Sequence, residues 1–140
     1  MPLRSLGYWT QRFVKKVFPT QALEKRFGEQ VLPFTDPETW RSRWSAQRGA
    51  GDEPGWSNGD IPAEHAIRGF QGVTLLLESA AKIAAIVIDV FGFREIAGEV
   101  SVIRYAAPDD ANGSVVGFLR GHQGRDSVHH IAFRPADDAR

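Results

Sequence analysis

One stretch limits the possible folds more than any other. Residues 67 to 120 spell strand, helix and three further strands, in that order. Ile67 to Leu77 reads as a strand with internal glycines at 69 and 72. Ser79 stands at a helix N-cap position. Ala80, Ile83, Ala84, Val87 and Val90 then recur along one helical face up to Phe91, and Gly92 supplies the stop. Phe93 to Gly98, Val100 to Ala107 and Ser114 to Arg120 have the length and composition of strands. Pro108-Asp109-Asp110-Ala111-Asn112-Gly113 forms the hairpin loop between the last two. A lone apolar-striped helix among strands must cover one face of their sheet. The expected class is therefore α+β, built on a β-α-β-β-β unit with a curved, mixed but mostly antiparallel sheet.

The preceding residues repeat this order without its first strand. Leu6, Trp9 (or Tyr8), Phe13 and Val17 recur at helical spacing, Ser5 can cap the start and Pro19 follows the end. Ala22 to Phe27, Glu29 to Phe34 and Trp40 to Ala46 are strand-like, parted by Gly28 and by the turn at Asp36-Pro37. The expected organisation has four parts. Residues 1–46 end a preceding module, 47–66 are a Gly-, Pro- and charge-rich linker, and 67–121 are a complete module. Residues 122–140 hold the first strand of a following, truncated one. Unpaired strand edges in such a chain would favour self-association.

Composition narrows the partners. Lys plus Arg equals Asp plus Glu at 17 each, so no bulk field favours nucleic acid or an anionic membrane. The absence of cysteine excludes disulfides, thiolate metal sites and a Cys nucleophile. Residues 1 to 17 carry Arg4, Arg12, Lys15 and Lys16 without an apolar core, so they do not read as a signal peptide. The apolar run Ile83 to Phe93 contains Asp89 and is too short to span a bilayer. A soluble, cytoplasmic protein is expected.

Ser127-Val128-His129-His130-Ile131-Ala132-Phe133-Arg134 carries the clearest candidate chemistry. On a strand, Val128, His130, Ala132 and Arg134 share one face, while His129, Ile131 and Phe133 share the other. Two large apolar groups mark the second face for packing. Small Ala132 leaves room beside His130, which is the better candidate metal ligand. His129 is left beside the metal or in the packing. Adjacent histidines on a strand are more often structural than metal-bound, so both readings stand on the residues alone. Laying Gly69-Phe70-Gln71-Gly72-Val73-Thr74 over Val128 to Phe133 places Gln71 at the position of His130.

Several runs resemble the vicinal oxygen chelate superfamily of glyoxalases, bleomycin-resistance proteins and extradiol dioxygenases, and within it the hydroquinone-type ring-cleaving dioxygenases. They are Gly7-Tyr8-Trp9, Arg26-Phe27-Gly28-Glu29, Pro33-Phe34-Thr35-Asp36-Pro37, the run from Ile61 to Phe70, Asp89-Val90-Phe91-Gly92-Phe93-Arg94, and Val128 to Arg134. The resemblance implies four βαβββ modules in a chain roughly twice this length. It also implies Fe(II) held by two histidines and one glutamate, with positions open to a hydroquinone-like aromatic and dioxygen. By resemblance His130 is one ligand and His129 lies just outside the metal's own ligands. The other His and the Glu have no counterpart here, so an internal fragment, inactive alone, is the expectation. The alternatives are a metal-free small-molecule-binding or interaction module and a glyoxalase-like metal lyase.

The remaining candidates read less sharply. An amide is a poor Fe(II) ligand, which makes Gln71 cavity-lining or structural. His65 reads as a surface or hydrogen-bonding residue, and His122, in a Gly-flanked connector, as solvent-exposed. Arg104 and Tyr105 occupy opposite faces of one strand, with a solvated Arg104 as the plainer expectation. Glu64, Glu78, Glu95 and Glu99 are the carboxylates that could replace a missing ligand, yet none lies on a strand that closes a module.

Overall fold

The computed structural model describes residues 3–15, 20–35, 41–46, 51–55, 59–109 and 113–121. The chain is α+β. Helix α1 (Leu3–Lys15) precedes β1 (Glu24–Arg26), β2 (Glu29–Thr35) and β3 (Arg41–Ser45), which form an antiparallel sheet in that order. A 3-10 turn at Ala63–His65 leads to β4 (Gly72–Leu77), α2 (Ala80–Asp89), β5 (Arg94–Glu99), β6 (Val102–Ala106) and β7 (Val115–Arg120). The second sheet runs β4-β7-β6-β5, with β4 parallel to β7 and the other pairs antiparallel. Among the described residues no helix is long and apolar enough to cross a membrane.

Each sheet buries one face under its helix. Leu6 and Trp9 of α1 pack on Leu32, with Trp44, Tyr8 and Ile61 around them, and the Trp9 and Trp44 ring centroids lie 4.7 Å apart. Trp9 Nε1 donates to the carbonyl oxygen of His65 at 2.9 Å, which fastens the incoming loop to the helix. In the second sheet Val87 of α2 meets Phe93, Tyr105, Val116 and Phe118. Strand β2 buries both Val31 and Leu32 although they point to opposite faces, so the first sheet is covered on both sides.

Local chemistry sets the joints. Phe27 and Gly28 both have positive φ, 51° and 79°, the two-residue hairpin geometry that matches strand twist. Gly92 (φ 69°) ends α2, its N–H reaching the Ile88 carbonyl oxygen at 3.1 Å. A Cβ on Gly72 would stand 1.9 Å from the Val115 carbonyl oxygen, so only glycine lets β4 start against β7.

Three expectations need correction. Ser5 lies inside α1, which begins at Leu3, and so cannot cap it. Ser79 holds the N-cap position of α2 but makes no side-chain cap hydrogen bond. The strand expected from Ile67 begins only at Gly72. Among the described residues those before it have no partner strand, and Gly69 turns the backbone to φ 146°. Within residues 47–66, Ile61 joins the first core, and Arg68 Nη1 and Nη2 donate to the carbonyl oxygens of Glu53 and Ala63 at 2.6 and 3.1 Å.

Phe118 is 2% exposed at the centre of the second core. Phe118→Ala is expected to cost about 3–5 kcal/mol. Urea unfolding followed by circular dichroism measures it.

Candidate functional site in the cleft between the sheets

The helix-free faces of the two sheets meet. Register places Glu24, Arg26, Glu29, Val31, Arg43 and Ser45 on one face of the first sheet. Across the second sheet, Thr74, Gly117, Arg104 and Ala97 form a row on the face away from α2. Three small or absent side chains in that row leave space over its centre, and Arg104 fills it. A Cβ on Gly117 would come within 2.8 Å of Thr74 Oγ1.

Arg104 is the one buried charged side chain among the described residues, 7% exposed. This overturns the solvated reading. Its partner Tyr105 points to the α2 side and packs on Phe118, where burial, and then the charge of Glu95, raises the phenol above its ordinary range. Arg104 Nη1 lies 3.5 Å from Glu29 Oε2, and its guanidinium stacks 3.8 Å from the Phe27 ring centroid. Gln71 Nε2 donates to both Glu29 oxygens at 3.4 Å, and Ser45 Oγ donates to Gln71 Oε1 at 2.9 Å. Arg43 Nη2 donates to Thr74 Oγ1 at 2.8 Å. Its guanidinium pKa is lowered by burial first, and then by Arg104 and Arg26.

A second clasp closes one end of the cleft. Arg26 Nε meets Glu99 Oε2 at 2.8 Å, and Glu99 Oε1 accepts the Phe27 N–H. That backbone bond, followed by Arg26, holds the Glu99 carboxyl below its ordinary value. The same bond steadies a non-glycine residue at positive φ. A surface recess of about 270 Å³ opens beside this clasp, lined by Arg26, Glu99, Val100 and Ser101.

The sequence candidates scatter. Gln71 is in the cleft, where its amide bridges Ser45 and Glu29. The His65 ring stacks on Tyr8, centroids 4.3 Å apart, so it is a packing group. Glu64, Glu78 and Glu95 are exposed. His122, His129 and His130 lie outside the described residues. Reading the sequence missed Glu29 and Phe27 as cleft residues. Strand alternation places Glu29 with Val31 and Ser45 on one face, but nothing in the sequence says what that face meets.

The cleft does not fit Fe(II). Among the described residues no group of three or more His, Cys, Asp or Glu side chains could hold a metal ion. Glu29 is the one carboxylate of the central cluster and is already shared between a guanidinium and an amide. A cation would have to displace Arg104.

Two helix-backed sheets that meet across a cleft, the second in β-α-β-β-β order, define a class of fold, and comparison with known proteins gives it members. No family model matches the chain. A curated relative from Bacillus subtilis strain 168, named "Putative ring-cleaving dioxygenase MhqO", is 33% identical over 143 residues, covering 99% of this chain and 45% of MhqO. The chlorohydroquinone/hydroquinone 1,2-dioxygenase of Sphingobium indicum is 22% identical over 145 residues, covering 97% of this chain and 45% of that protein. The crystal structure of a "putative dioxygenase" from Bacillus subtilis superposes with a TM-score of 0.81 at 30% identity, over 98% of this chain and 45% of that one. The chain thus spans about half the length of the relatives it matches. Their names and shared fold fit the vicinal oxygen chelate superfamily.

Two predictions follow from the cleft. Glu29→Gln leaves a buried guanidinium unpaired and should cost about 3 kcal/mol, whereas Glu29→Gln with Arg104→Met should recover most of that loss. Urea midpoints of the single and double variants test it. Because the folded-state pKa of Glu99 is lowered, its contribution to stability is complete above its ordinary value of 4.5 and is lost as pH falls through the lowered one. The wild-type chain should therefore lose more stability than Glu99→Gln between neutral pH and the region below 4.5, by thermal melting at each pH.

Proposed function

We propose that these residues are part of an Fe(II)-dependent extradiol-type dioxygenase that cleaves hydroquinone-like aromatic rings. The observation that carries this reading is the 33% identity to MhqO along 99% of the chain. In this proposal residues 1–46 and 67–121 are two modules joined by 47–66. Their paired cups form a supporting half whose cavity is closed by its own guanidinium. Residues 122–140 carry the metal-binding contribution: His130 is a ligand and His129 lies beside the metal. The remaining His and Glu donors come from outside these 140 residues, on the same polypeptide or another. When bound, the iron would bring the aromatic and dioxygen together.

A second reading, a metal-free small-molecule-binding module, draws on the cleft itself, where Arg104 already neutralises Glu29.

Metal analysis and oxygen uptake separate the two. The 140-residue chain, reconstituted anaerobically with Fe(II), should lose its iron to a chelator wash and show no uptake with a substituted hydroquinone. Grafted in place of the matching 45% of MhqO, it should support iron binding and turnover, and His130→Ala in the graft should lower turnover by about 100-fold or more. A folded, iron-loaded graft whose turnover ignores His130→Ala would sink the assignment. Stoichiometric, wash-resistant iron with turnover in the 140-residue chain alone would show that it completes its own site.

A further inference from the structure

We propose that the outer edge of β4 is a docking site for residues 128–133 of this same chain, which add to the four-stranded second sheet as an antiparallel fifth strand.

The edges of the two sheets are not alike. An unpaired edge invites other strands, and proteins blunt it with charges, bulges or shortness. Strand β1 consists of Glu24, Lys25 and Arg26, and β3 carries Arg41 and Arg43. Strand β5 carries Arg94, Glu95 and Glu99, with a register shift between Glu95 and Ala97. Strand β4, the other end of the second sheet, reads Gly72-Val73-Thr74-Leu75-Leu76-Leu77 and has no charge, proline or bulge. In a parallel ladder alternate residues turn both backbone groups to one neighbour. The carbonyl oxygens of Gln71 and Leu77 accept from Val115 and Gly121, so Gln71, Val73, Leu75 and Leu77 bond toward β7. Gly72, Thr74 and Leu76 point their N–H and C=O groups the other way, where no strand among the described residues pairs with them. Of the four edges, this one alone is left unblunted.

Connectivity names the occupant. The Gly121 N–H reaches the Leu77 carbonyl oxygen at 3.0 Å, so the chain leaves β7 beside the last residue of β4. Residues 122–127 then lead to Val128. The outer edge of β4 lies two strand spacings from β7, about 10 Å, and a linker of that length reaches about 20 Å when extended. A link this short returns the chain antiparallel, whereas a parallel return takes a crossover of about a dozen residues or more. Side chains fix the register. Val73, Leu75 and Leu77 share the α2 face, where Leu75 and Leu77 pack on the core. Setting Ile131 opposite Leu75 and Phe133 opposite Val73 puts the large apolar groups of the segment on that face. Ala132 then stands opposite Thr74, and His130 opposite Leu76, on the cleft face.

Hydrogen exchange of the full chain, followed by NMR, reads the edge directly. The Thr74 and Leu76 amides should be protected. Ala132→Pro, which removes a ladder donor, should lower their protection by about tenfold or more, while the Val116 and Phe118 amides of central β7 keep theirs. The chain has no cysteine, so an engineered pair is read without background. Under mild oxidation in dilute solution, Thr74→Cys with Ala132→Cys should close an intramolecular disulfide, at the roughly 5.5 Å Cα separation of a hydrogen-bonded pair. Ile96→Cys with Ala132→Cys, which uses the β5 edge, should not. Unprotected Thr74 and Leu76 amides in the wild-type chain, protection that Ala132→Pro leaves intact, or a disulfide in the control pair instead would each overturn the proposal. A Thr74→Cys, Ala132→Cys disulfide that joins two chains would overturn it too, by giving the edge to a second copy. None of these readouts involves metal or turnover, so failure here and failure of the dioxygenase reading are distinguishable.

Discussion

A buried guanidinium organises this molecule. Arg104 sits mid-strand on the face of the second sheet away from α2, and among the described residues the first sheet shields it from water. An isolated charge there would cost several kcal/mol, so its burial requires a carboxylate at the opposing position. Glu29, the first residue of β2, supplies that carboxylate. Its reach depends on the Phe27-Gly28 hairpin, whose positive φ angles start β2 in the right register. Phe27 then offers its ring to the same guanidinium. Register, turn geometry and charge are thus three views of one constraint.

That constraint also explains the residue choice around it. Gly117, between Arg104 and Thr74 in the row across the sheet, has no room for a side chain, and Ala97 on the other flank is small. Gln71 and Ser45 complete the shell with neutral groups, so Glu29 is bound without a second anion beside it. The contacts to Glu29, at 3.4 to 3.5 Å, are longer than ideal charge-assisted bonds. Specificity of sheet pairing, more than raw stability, is what such a cluster contributes.

Much of the fold was legible in the sequence because it is written locally. The α2 stripe, Gly92 and the three following strands obey periodicities that need no knowledge of the rest of the chain. The errors arise where partners decide. Ile67 to Gln71 has strand-like residues, but strand requires a neighbour to bond with, and β7 begins at Val115 opposite Gly72. Arg104 and Tyr105 are indistinguishable by alternation alone, since either face of β6 could be wet. The outcome rests on the first sheet, whose Glu29 is 75 positions away from Arg104. Gln71 reads as cavity-lining or structural rather than as a ligand because ligand chemistry is a local property, and its amide bonds Glu29 and Ser45. Glu29 escaped notice because its role is defined only by what it meets.

The cleft and the histidine pair therefore answer different questions. A cup lined by small residues on one sheet is a general container, and what it holds depends on the charges placed at its centre. Two carboxylates and imidazoles there would call for a divalent cation. One carboxylate with a guanidinium calls for none, since the side chain is its own counter-cation and cannot be deprotonated. Arg104 thus makes this cup chemically closed while keeping the shape that its relatives share. The chain's adjacent histidines, His129 and His130, belong to another stretch of the sequence. A cup filled by an internal ion pair gains instead a specific seam between its two sheets.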